Sequence, residues 1–274
     1  MGAQIIDGVS IAREIESELK IRINKLAFKP ILSVIQIGDD SASSSYINAK
    51  TKAAVRIGIE LQHHHLPTDI SLNDLNSLID ILNSESNGII IQLPIPETLL
   101  PCLTRISPEK DVDGFHPMNL GRLMRGEPSL LPCTPAGIIE LLTRSDYNLN
   151  GRHVVIIGRS NIVGKPLANL LLSKGIDATT TICHSKTKDI SQYTKVADIV
   201  VVATGCPNTL TEDMVTENSI IIDVGVNRTD SGLVGGCAPT VINKMKAITP
   251  VPGGVGPMTV AMLMNNTVSA SERP

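Results

Sequence analysis

Two side chains one helical turn apart are the first candidates for chemistry. Tyr46 and Lys50 lie four residues apart in a segment, Ala42 to Ile57, with the pattern of a helix. Desolvation favours the neutral form of a lysine, which can take up a proton near neutral pH. Lys52 lies on a different face of this helix. The same spacing also suits an exposed lysine with a buried stem, so both alternatives stay open.

Two further segments place polar residues where a strand or a turn ends. Gln92 stands at the end of an apolar predicted strand, Gly88 to Leu93, where α/β proteins commonly bind ligands. Asp111 and Asp113 precede a glycine turn in the sequence DVDG. Ordinary strand-end and turn chemistry also accounts for both segments.

Three consecutive histidines, His63 to His65, raise the question of a metal site. Adjacent residues of a strand point to opposite faces, and no cysteine or carboxylate stands beside them at metal-ligand spacing. We therefore interpret the segment as a polar edge strand and expect no metal.

The run HVVIIGRSNIVGKP, residues 153–166, has the order of strand, glycine turn and helix that a dinucleotide-binding loop requires. Gly158 allows a tight turn, Gly164 allows close backbone approach, and the start of the helix offers N–H groups to a pyrophosphate. The glycine spacing is GxxxxxG, not GxGxxG. Taken alone, the loop suits an ordinary βα turn equally well.

The end of the next predicted strand, Ala178 to Cys183, bears on the choice of cofactor. An NAD site usually has Asp or Glu at this point, whereas this chain continues with His184-Ser185-Lys186-Thr187. Arg159, Ser185 and Lys186 are suited to binding a ribose 2′-phosphate. The sequence therefore predicts NADP, while Lys186 taken alone suits a solvated surface position as well.

The order of the predicted elements defines the fold class. Helical patterns cover Ile11 to Leu26, with Ser10 as the cap, and then Ala42 to Ile57, Leu72 to Leu82 and Val163 to Lys174. Strand patterns cover Ile31 to Ile37, Gly88 to Leu93, His153 to Ile157, Ala178 to Cys183, Asp198 to Ala203 and Ser219 to Val224. This alternation predicts the α/β class with a mainly parallel sheet. It lapses between Pro94 and Pro135, where we place a domain boundary.

Composition limits the partners and the compartment. The 274 residues carry a net charge of −3, so no basic face is available for nucleic acid. No apolar run is long enough to span a bilayer, and Asp7, Glu14 and Glu16 are unusual in a signal or transit peptide. We expect a cytoplasmic protein with no nucleic-acid or membrane partner.

The five cysteines are odd in number, widely spaced and without a CxxC pair. This pattern predicts neither a disulfide framework nor a zinc site. We interpret all five as small buried hydrophobic residues.

Seven segments taken together resemble one known family. They are SYINAKTKA (45–53), GIIIQLPIP (88–96), DVDGFHPMNLGRL (111–123), PCTPAG (132–137), GRSNIVGKP (158–166), IDVGVN (222–227) and TPVPGGVGPMTVAML (249–263). In order and spacing, from about Ile5 to Thr267, the chain resembles the bifunctional methylenetetrahydrofolate dehydrogenase/cyclohydrolase family.

The resemblance implies a fold, two reactions and an assembly. The fold would be two α/β domains with a folate cleft between them: residues 1–134 completed by a C-terminal helix 257–274, and a Rossmann-like NADP-binding domain at 135–256. The reactions would be the NADP-dependent oxidation of 5,10-methylenetetrahydrofolate to 5,10-methenyltetrahydrofolate and its hydrolysis to 10-formyltetrahydrofolate. The assembly would be a homodimer, and no formyltetrahydrofolate synthetase domain is expected.

The resemblance also implies roles for individual residues. Lys50 would be the main catalytic residue, Gln92 would support it, Asp113 would hold the pterin and Tyr46 would stack on the folate. Further substrate contacts would come from Pro252, Gly253 and Gly254. Cofactor contacts would come from Gly158, Arg159, Ser160, Ile162, Ser185, Lys186, Thr204, Gly205 and Val226.

One segment departs from the family pattern. Gly235-Gly236-Cys237 stands where the family usually has Gly-Asp-Val, which leaves the cofactor affinity open.

Two alternatives compete with the resemblance. A short-chain dehydrogenase also uses a Tyr-xxx-Lys pair, but its glycine loop comes first, whereas here the pair precedes the loop by more than a hundred residues. A non-enzymatic folate- or NADP-binding protein is disfavoured because Lys50, Gln92 and Asp113 are all present.

Overall fold

Strands and helices alternate along most of the chain, which a computed structural model describes at residues 3–229 and 232–273. The strands are β1 (Gln4–Ile5), β2 (Ile31–Ile37), β3 (Glu60–Leu66), β4 (Gly88–Ile91), β5 (His153–Ile157), β6 (Thr179–Cys183), β7 (Ile199–Val202), β8 (Ile220–Asp223), β9 (Asn227–Thr229), β10 (Gly232–Val234) and β11 (Ala247–Ile248). The α-helices are α1 (Gly8–Ile23), α2 (Ser41–Ile57), α3 (Leu72–Glu85), α4 (Pro117–Arg125), α5 (Cys133–Arg144), α6 (Gly164–Leu171), α7 (Ser191–Thr194) and α8 (Val255–Ser271). The α/β class predicted from the sequence is confirmed.

Contacts along the chain divide it into two compact units. Unit 1 comprises Met1–Ala12 and Thr134–Thr259, and unit 2 comprises Arg13–Cys133 and Val260–Pro274. The predicted domains, 1–134 with 257–274 and 135–256, stay a prediction, and their outer limits at residues 1 and 274 fall outside the described residues. The units differ from those limits at the amino terminus, because β1 pairs with β11 in the sheet of unit 1.

Unit 1 contains a six-stranded sheet in the order β1-β11-β8-β7-β5-β6, and every pairing in it is parallel. From β5 the chain winds to β6 on one side and then to β7 on the other. The direction of winding therefore reverses beside β5, and open α/β sheets bind ligands at the carboxyl ends of the strands around such a point. This is the Rossmann-like arrangement that the sequence predicted.

The strands at the centre of unit 1 are apolar because they are covered on both faces. All residues of β7 and β8 are buried, including Asp223 at the end of β8. Alternate residues such as Val155, Val200 and Ile221 join one hydrophobic cluster. β-Branched side chains favour extended backbone, so these runs specify strands and core together.

Unit 2 contains a three-stranded parallel sheet in the order β3-β2-β4. Its core joins β2 and β4 to α3, which contributes Leu75, Ile79 and Leu82. The three histidines lie on the edge strand β3, as predicted, and His63 Nε2 lies 3.0 Å from the amide oxygen of Gln36.

The start of α1 corrects one prediction. Ser10 was expected to cap this helix, but α1 begins at Gly8, and the Asp7 carboxylate accepts hydrogen bonds from the backbone N–H groups of Val9 and Ser10. Asp is as good a cap as Ser, and here it stands closer to the first turn. The helix ends at Ile23, before the expected Leu26.

The last helix, α8, contributes to the core of unit 2 through its later turns. Leu263, Met264 and Val268 are buried there. Among the described residues, no helix is long and apolar enough to cross a membrane.

Candidate active site

Lys50 and Gln92 meet in unit 2. Lys50 Nζ donates a 2.8 Å hydrogen bond to Gln92 Oε1, and Gln92 Nε2 donates to the carbonyl of Leu93 at 2.9 Å. The second bond orients the amide so that its oxygen faces the lysine. Lys50 is partly buried, whereas Lys52 is exposed.

Helix α2 positions this lysine. Asp40 caps the helix by accepting from the backbone N–H of Ser43, and Gly58 ends it in the left-handed conformation at φ 96°. Ile47 and Ala54 hold its inner face in the core. Tyr46, one turn before Lys50, keeps 45% of its surface exposed, so its ring remains accessible to a ligand.

The two aspartates of the DVDG turn have different roles. Asp111 is buried and accepts from the backbone N–H of His116 at 2.8 Å and from Asn119 Nδ2 at 2.9 Å. It therefore fixes the turn. Burial raises the pKa of Asp113, the positive charge of Lys50 opposes the shift, and the negative charge of Asp111 adds to it. Asp113 thus lies within electrostatic reach of Lys50.

Gly114 has no acceptable substitute in this turn. Its φ is +76°, and a Cβ atom there would lie 2.4 Å from the carbonyl carbon of Leu131. The glycine lets the turn lie directly against residues 131 and 132 and so fixes the position of Asp113.

Two residues that support this turn were not identified from the sequence. Asn266 of α8 donates from Nδ2 to the carbonyls of Val112 and Leu131, each at 2.8 Å. The thiol of Cys133 donates to the same Val112 carbonyl at 3.2 Å. Burial first, and then the charge of Asp113, raises the pKa of Cys133, so the thiol stays protonated and acts as a donor. In the sequence, Asn266 is one asparagine of the NNT segment, far from DVDG, and nothing there indicates that the two are in contact.

The predicted cofactor residues occupy equivalent positions in unit 1. They lie in the loops that follow four neighbouring parallel strands: Gly158, Arg159, Ser160 and Ile162 after β5, Ser185 and Lys186 after β6, Thr204 and Gly205 after β7, and Val226 after β8. The carboxyl ends of these strands lie at one edge of the sheet, the edge at which nucleotides bind in this type of fold.

The two glycines of the loop after β5 permit close contacts within the protein. Gly158 has φ +131°, and a Cβ atom there would lie 2.2 Å from the carbonyl oxygen of Ala203. A Cβ atom at Gly164 would lie 2.1 Å from the carbonyl oxygen of Gly158. Both positions therefore require glycine so that β5, its loop and α6 can pack together.

The hydroxyl of Ser160 holds the end of this loop, where the chain enters α6. The backbone N–H groups of Val163 and Gly164 donate to Ser160 Oγ, at 3.1 and 3.4 Å. The helix itself begins at Gly164, and Val163 before it provides no side-chain cap. Binding of a pyrophosphate at this helix start stays a prediction. Ser160 is therefore a predicted cofactor residue that also fixes the shape of its own loop.

The loop after β6 suits a phosphorylated ribose. Arg159, Ser185 and Lys186 are exposed, and no carboxylate occurs between residues 183 and 188. His184 Nδ1 accepts from the backbone N–H of Lys186 at 3.1 Å, which bends the loop. These residues fit a 2′-phosphate, because cations and hydroxyl donors are available and no negative charge opposes it.

The remaining predicted substrate residues lie in unit 1, whereas Tyr46, Lys50, Gln92 and Asp113 lie in unit 2. Pro252 is exposed, Gly253 has φ +110°, and a Cβ atom at Gly254 would lie 2.7 Å from the carbonyl oxygen of Pro250. The role of this segment stays a prediction.

The cysteines require one correction. Cys102, Cys133 and Cys183 are buried and Cys237 is partly buried, but Cys206 is exposed in the loop after β7. The interpretation of all five as buried residues is therefore wrong for Cys206. Among the described residues, no group of three or more His, Cys, Asp or Glu side chains is arranged to hold a metal ion.

These features define a two-unit α/β protein with a Rossmann-like nucleotide-binding sheet. Family models for the catalytic domain and the NAD(P)-binding domain of tetrahydrofolate dehydrogenase/cyclohydrolase match residues 6–113 and 132–274. The chain belongs to the tetrahydrofolate dehydrogenase/cyclohydrolase family.

Individual relatives are similar over their full lengths. The bifunctional protein FolD of Bacillus pumilus (strain SAFR-032) is 49% identical over 282 residues, covering 100% of this chain and 99% of that protein. The crystal structure of the bifunctional enzyme FolD from Campylobacter jejuni superposes with a TM-score of 0.94 at 44% identity, covering 98% of this chain and 99% of that one. The Trypanosoma brucei enzyme, crystallised with NADP cofactor and an inhibitor, gives a TM-score of 0.93 at 35% identity, covering 100% and 98%.

Proposed function

We propose that this chain catalyses both family reactions and that Lys50, Gln92 and Asp113 form its catalytic group. It oxidises 5,10-methylenetetrahydrofolate to 5,10-methenyltetrahydrofolate with NADP and hydrolyses the product to 10-formyltetrahydrofolate. Membership of the family over nearly the whole chain supports the two activities. The 2.8 Å hydrogen bond between Lys50 and Gln92, within electrostatic reach of Asp113, is the observation that supports the choice of residues.

In the dehydrogenase step the protein mainly orients the reactants. NADP would supply the acceptor for the hydride that leaves the one-carbon bridge of the folate. The loops after β5, β6, β7 and β8 would hold the cofactor, and Arg159, Ser185 and Lys186 would bind its 2′-phosphate. Orientation of this kind lowers the barrier because the entropy of bringing the reactants together is lost on binding.

In the hydrolysis step Lys50 acts as the base. The methenyl bridge is cationic and attracts a water oxygen, which forms a bond to the bridge carbon. Lys50, as the neutral amine, takes a proton from this water and passes it to N5 of the folate as the bond between the bridge carbon and N5 breaks. The remaining hydroxyl proton is released to solvent, and the carbon stays on N10 as the formyl group. Gln92 accepts from Lys50 through its fixed amide oxygen, so the lone pair of the amine is free to face the water.

Asp113 and Tyr46 bind the substrate in this proposal. The edge of a pterin carries neighbouring N–H donors, which an ionised carboxylate accepts as a pair. The exposed ring of Tyr46 offers a flat surface to the conjugated part of the folate. Both residues hold the one-carbon bridge near Lys50 without taking part in proton transfer.

We also propose a homodimer in the cytoplasm. Membership of the family supports both the dimer and the compartment. Light scattering coupled to size-exclusion chromatography tests the dimer, because a monomer at micromolar concentration would contradict it. Fractionation of cells that produce the protein tests the compartment.

One assay tests the two activities directly. The protein is mixed with 5,10-methylenetetrahydrofolate and either NADP or NAD, and the absorbance of methenyltetrahydrofolate is followed as it rises and then decays. We expect a faster rise with NADP and a decay faster than the spontaneous rate. If the absorbance of methenyltetrahydrofolate does not rise with either cofactor, the alternative of a folate- or NADP-binding protein without activity is favoured.

A further inference from the structure

A buried carboxylate at the end of β8 takes no part in the chemistry above. Asp223 is 4% exposed and lies before the predicted cofactor residue Val226. We propose that Asp223 is a positioning residue that sets the shape of the NADP-binding loops of unit 1. The inference rests on the proposed function of those loops.

The Asp223 carboxylate binds backbone groups from two segments. Oδ1 accepts from the N–H of Gly225 at 3.1 Å and of Gly236 at 2.9 Å, and Oδ2 accepts from the N–H of Cys237 at 2.9 Å. A buried carboxylate is stable only where several donors compensate its charge, and three backbone amides do so here. The carboxylate therefore ties the turn after β8 to residues 236 and 237.

The connection continues into the loop after β7. The Gly236 carbonyl accepts from the N–H groups of Thr209, at 2.7 Å, and Leu210, at 3.2 Å. The hydroxyl of Thr209 is in turn 3.0 Å from that of Thr204. Asp223 thus fixes residues 236 and 237, and these fix the loop that carries the predicted cofactor residues Thr204 and Gly205.

The glycines beside Asp223 show how closely this segment is fitted. A Cβ atom at Gly235 would lie 2.0 Å from Asp223 Oδ2, and one at Gly236 would lie 2.6 Å from Val202 Cγ1. The family usually has Gly-Asp-Val at these positions, so Gly235 keeps the glycine of the family and Gly236 and Cys237 depart from it. In this chain, therefore, two residues without side chains allow the backbone to close on the carboxylate.

Thr249 contacts Asp223 in a different way. Its hydroxyl accepts from the backbone N–H of Asp223 at 2.8 Å and does not bond to the carboxylate. A change of the Asp223 side chain leaves this contact in place. The segment after Thr249, with the predicted substrate residues Pro252 to Gly254, keeps its connection to β8.

Asp223→Asn tests the role, because the amide keeps the shape of the carboxylate but turns an N–H donor toward at least one of the three backbone amides. We expect the KM for NADP to rise about tenfold or more, as for the loss of a buried acceptor. Hydrolysis of methenyltetrahydrofolate needs no NADP and should stay within about twofold of the wild type, because the Lys50 group is untouched. Ser219→Ala is the matched control: Ser219 is buried just before the other end of β8 and accepts from the N–H of Thr216. It should lower thermal stability without changing the KM for NADP.

Gly235→Ala is the second variant and keeps the test decisive if Asp223→Asn does not fold. Its methyl group would displace Asp223 Oδ2 and should produce the same selective rise in KM. An unchanged KM for NADP in a folded variant overturns the inference, and so does an equal loss of both activities. Failure of the proposed function is a separate result, because it shows in the wild-type protein as the absence of NADP-dependent oxidation.

Discussion

The hydrogen bond from Lys50 to Gln92 joins residues 42 positions apart in the sequence. An amide oxygen only accepts, so the lysine must be the donor, whether its nitrogen is an amine or an ammonium. The neutral amine then keeps a lone pair that points away from Gln92. A residue so oriented can deprotonate water, which a solvated lysine with a freely rotating head group does far less well.

Lys50→Met should abolish the hydrolysis of methenyltetrahydrofolate in a folded protein, because methionine has a similar length and no basic nitrogen. The rate of absorbance decay measures the effect. Lys52→Met is the control, since Lys52 is exposed on another face of α2, and its hydrolysis rate should stay within about twofold of the wild type. Hydrolysis at the wild-type rate by the Lys50 variant would remove this lysine from the mechanism.

Asp113→Ala should remove folate binding and both activities and leave NADP binding intact, because the paired acceptor for the pterin is lost. Asp113→Asn should restore little of the folate binding or of the two activities, since one half of its amide is a donor that opposes the pterin N–H groups. Calorimetric titrations with folate and with NADP, performed separately, check both variants. Normal folate affinity with lost chemistry would instead make Asp113 a catalytic acid or base.

Folate binding should weaken at acidic pH because of the position of Asp113. Its pKa is raised above the ordinary 3.8, mainly by burial, and only the ionised form accepts two N–H donors. As the pH falls through the raised pKa, the carboxyl takes up a proton and the affinity falls. The same shift makes the folded state the stronger proton binder, so the contribution of Asp113 to the free energy of unfolding decreases as the pH rises from 3.8 through the raised value.

Titrations of the wild type with folate between pH 4 and pH 8 measure this effect. Asp69→Asn, which changes an exposed carboxylate, should keep the wild-type profile. A folate affinity that is constant down to about pH 4 would show that Asp113 is not the pterin ligand.

Local sequence patterns were sufficient to predict the strands. They were insufficient to predict how the connections between strands and helices are held. The run of β5 and the glycines after it were visible in the sequence because periodicity and turn residues are local signals. At the start of α1, the carboxylate of Asp7 competes with the hydroxyl of Ser10 for the role of cap. Which of them becomes the cap depends on loop geometry that single residues do not reveal.

Long-range support was not predictable at all. The contact of Asn266 with the Val112 carbonyl spans 154 positions, and that of Asp223 with Gly236 joins two loops across a hairpin. Residue type alone suggested neither, since an asparagine in a helix and an aspartate at a strand end have many possible roles. The family resemblance identified Lys50, Gln92 and Asp113 as candidate site residues. It did not identify the residues that hold them in position.

Arg159→Ala tests the loop after β5 as a phosphate-binding element. We expect NADP binding to weaken by about 1.5–3 kcal/mol, the range for a hydrogen bond to a charged group, and NAD binding to change little. The ratio of kcat/KM for the two cofactors is the measurement. Lys188→Ala is the control, because Lys188 is an exposed lysine of the loop after β6 that is not among the predicted cofactor residues. Equal losses for NADP and NAD would exclude a role at the 2′-phosphate.

At the scale of the whole molecule, neither unit is one continuous segment. Unit 2 needs residues 13–133 and again residues from 260 onward, and unit 1 takes its first strand from the start of the chain. A substitution in α8, near the carboxyl end of the chain, therefore affects the DVDG turn, which lies near the middle of the sequence.

Asn266→Leu should destabilise unit 2 and weaken folate binding together, while NADP binding is retained. Loss of the amide leaves the carbonyl of Leu131 without its side-chain donor, at a cost of about 1–3 kcal/mol, and leaves the carbonyl of Val112 with the weaker thiol donor of Cys133. Ser271→Ala removes a buried bond within the same helix and is the control, with a smaller loss of stability and normal folate affinity. Urea unfolding and folate titration measure the two effects. Normal stability of the Asn266 variant would contradict this account.

The late position of α8 has a consequence for biosynthesis. A ribosome finishes residues 13–133 and then makes all of 134–259 before it adds the turns of α8 that carry Leu263, Met264 and Val268. At elongation rates of about 5–20 residues per second this interval lasts on the order of ten seconds. During it, unit 2 lacks the last residues of its apolar core, whereas all six strands of the sheet of unit 1 have been made. Unit 2 therefore receives its last core residues only after the six-stranded sheet of unit 1 has been synthesised.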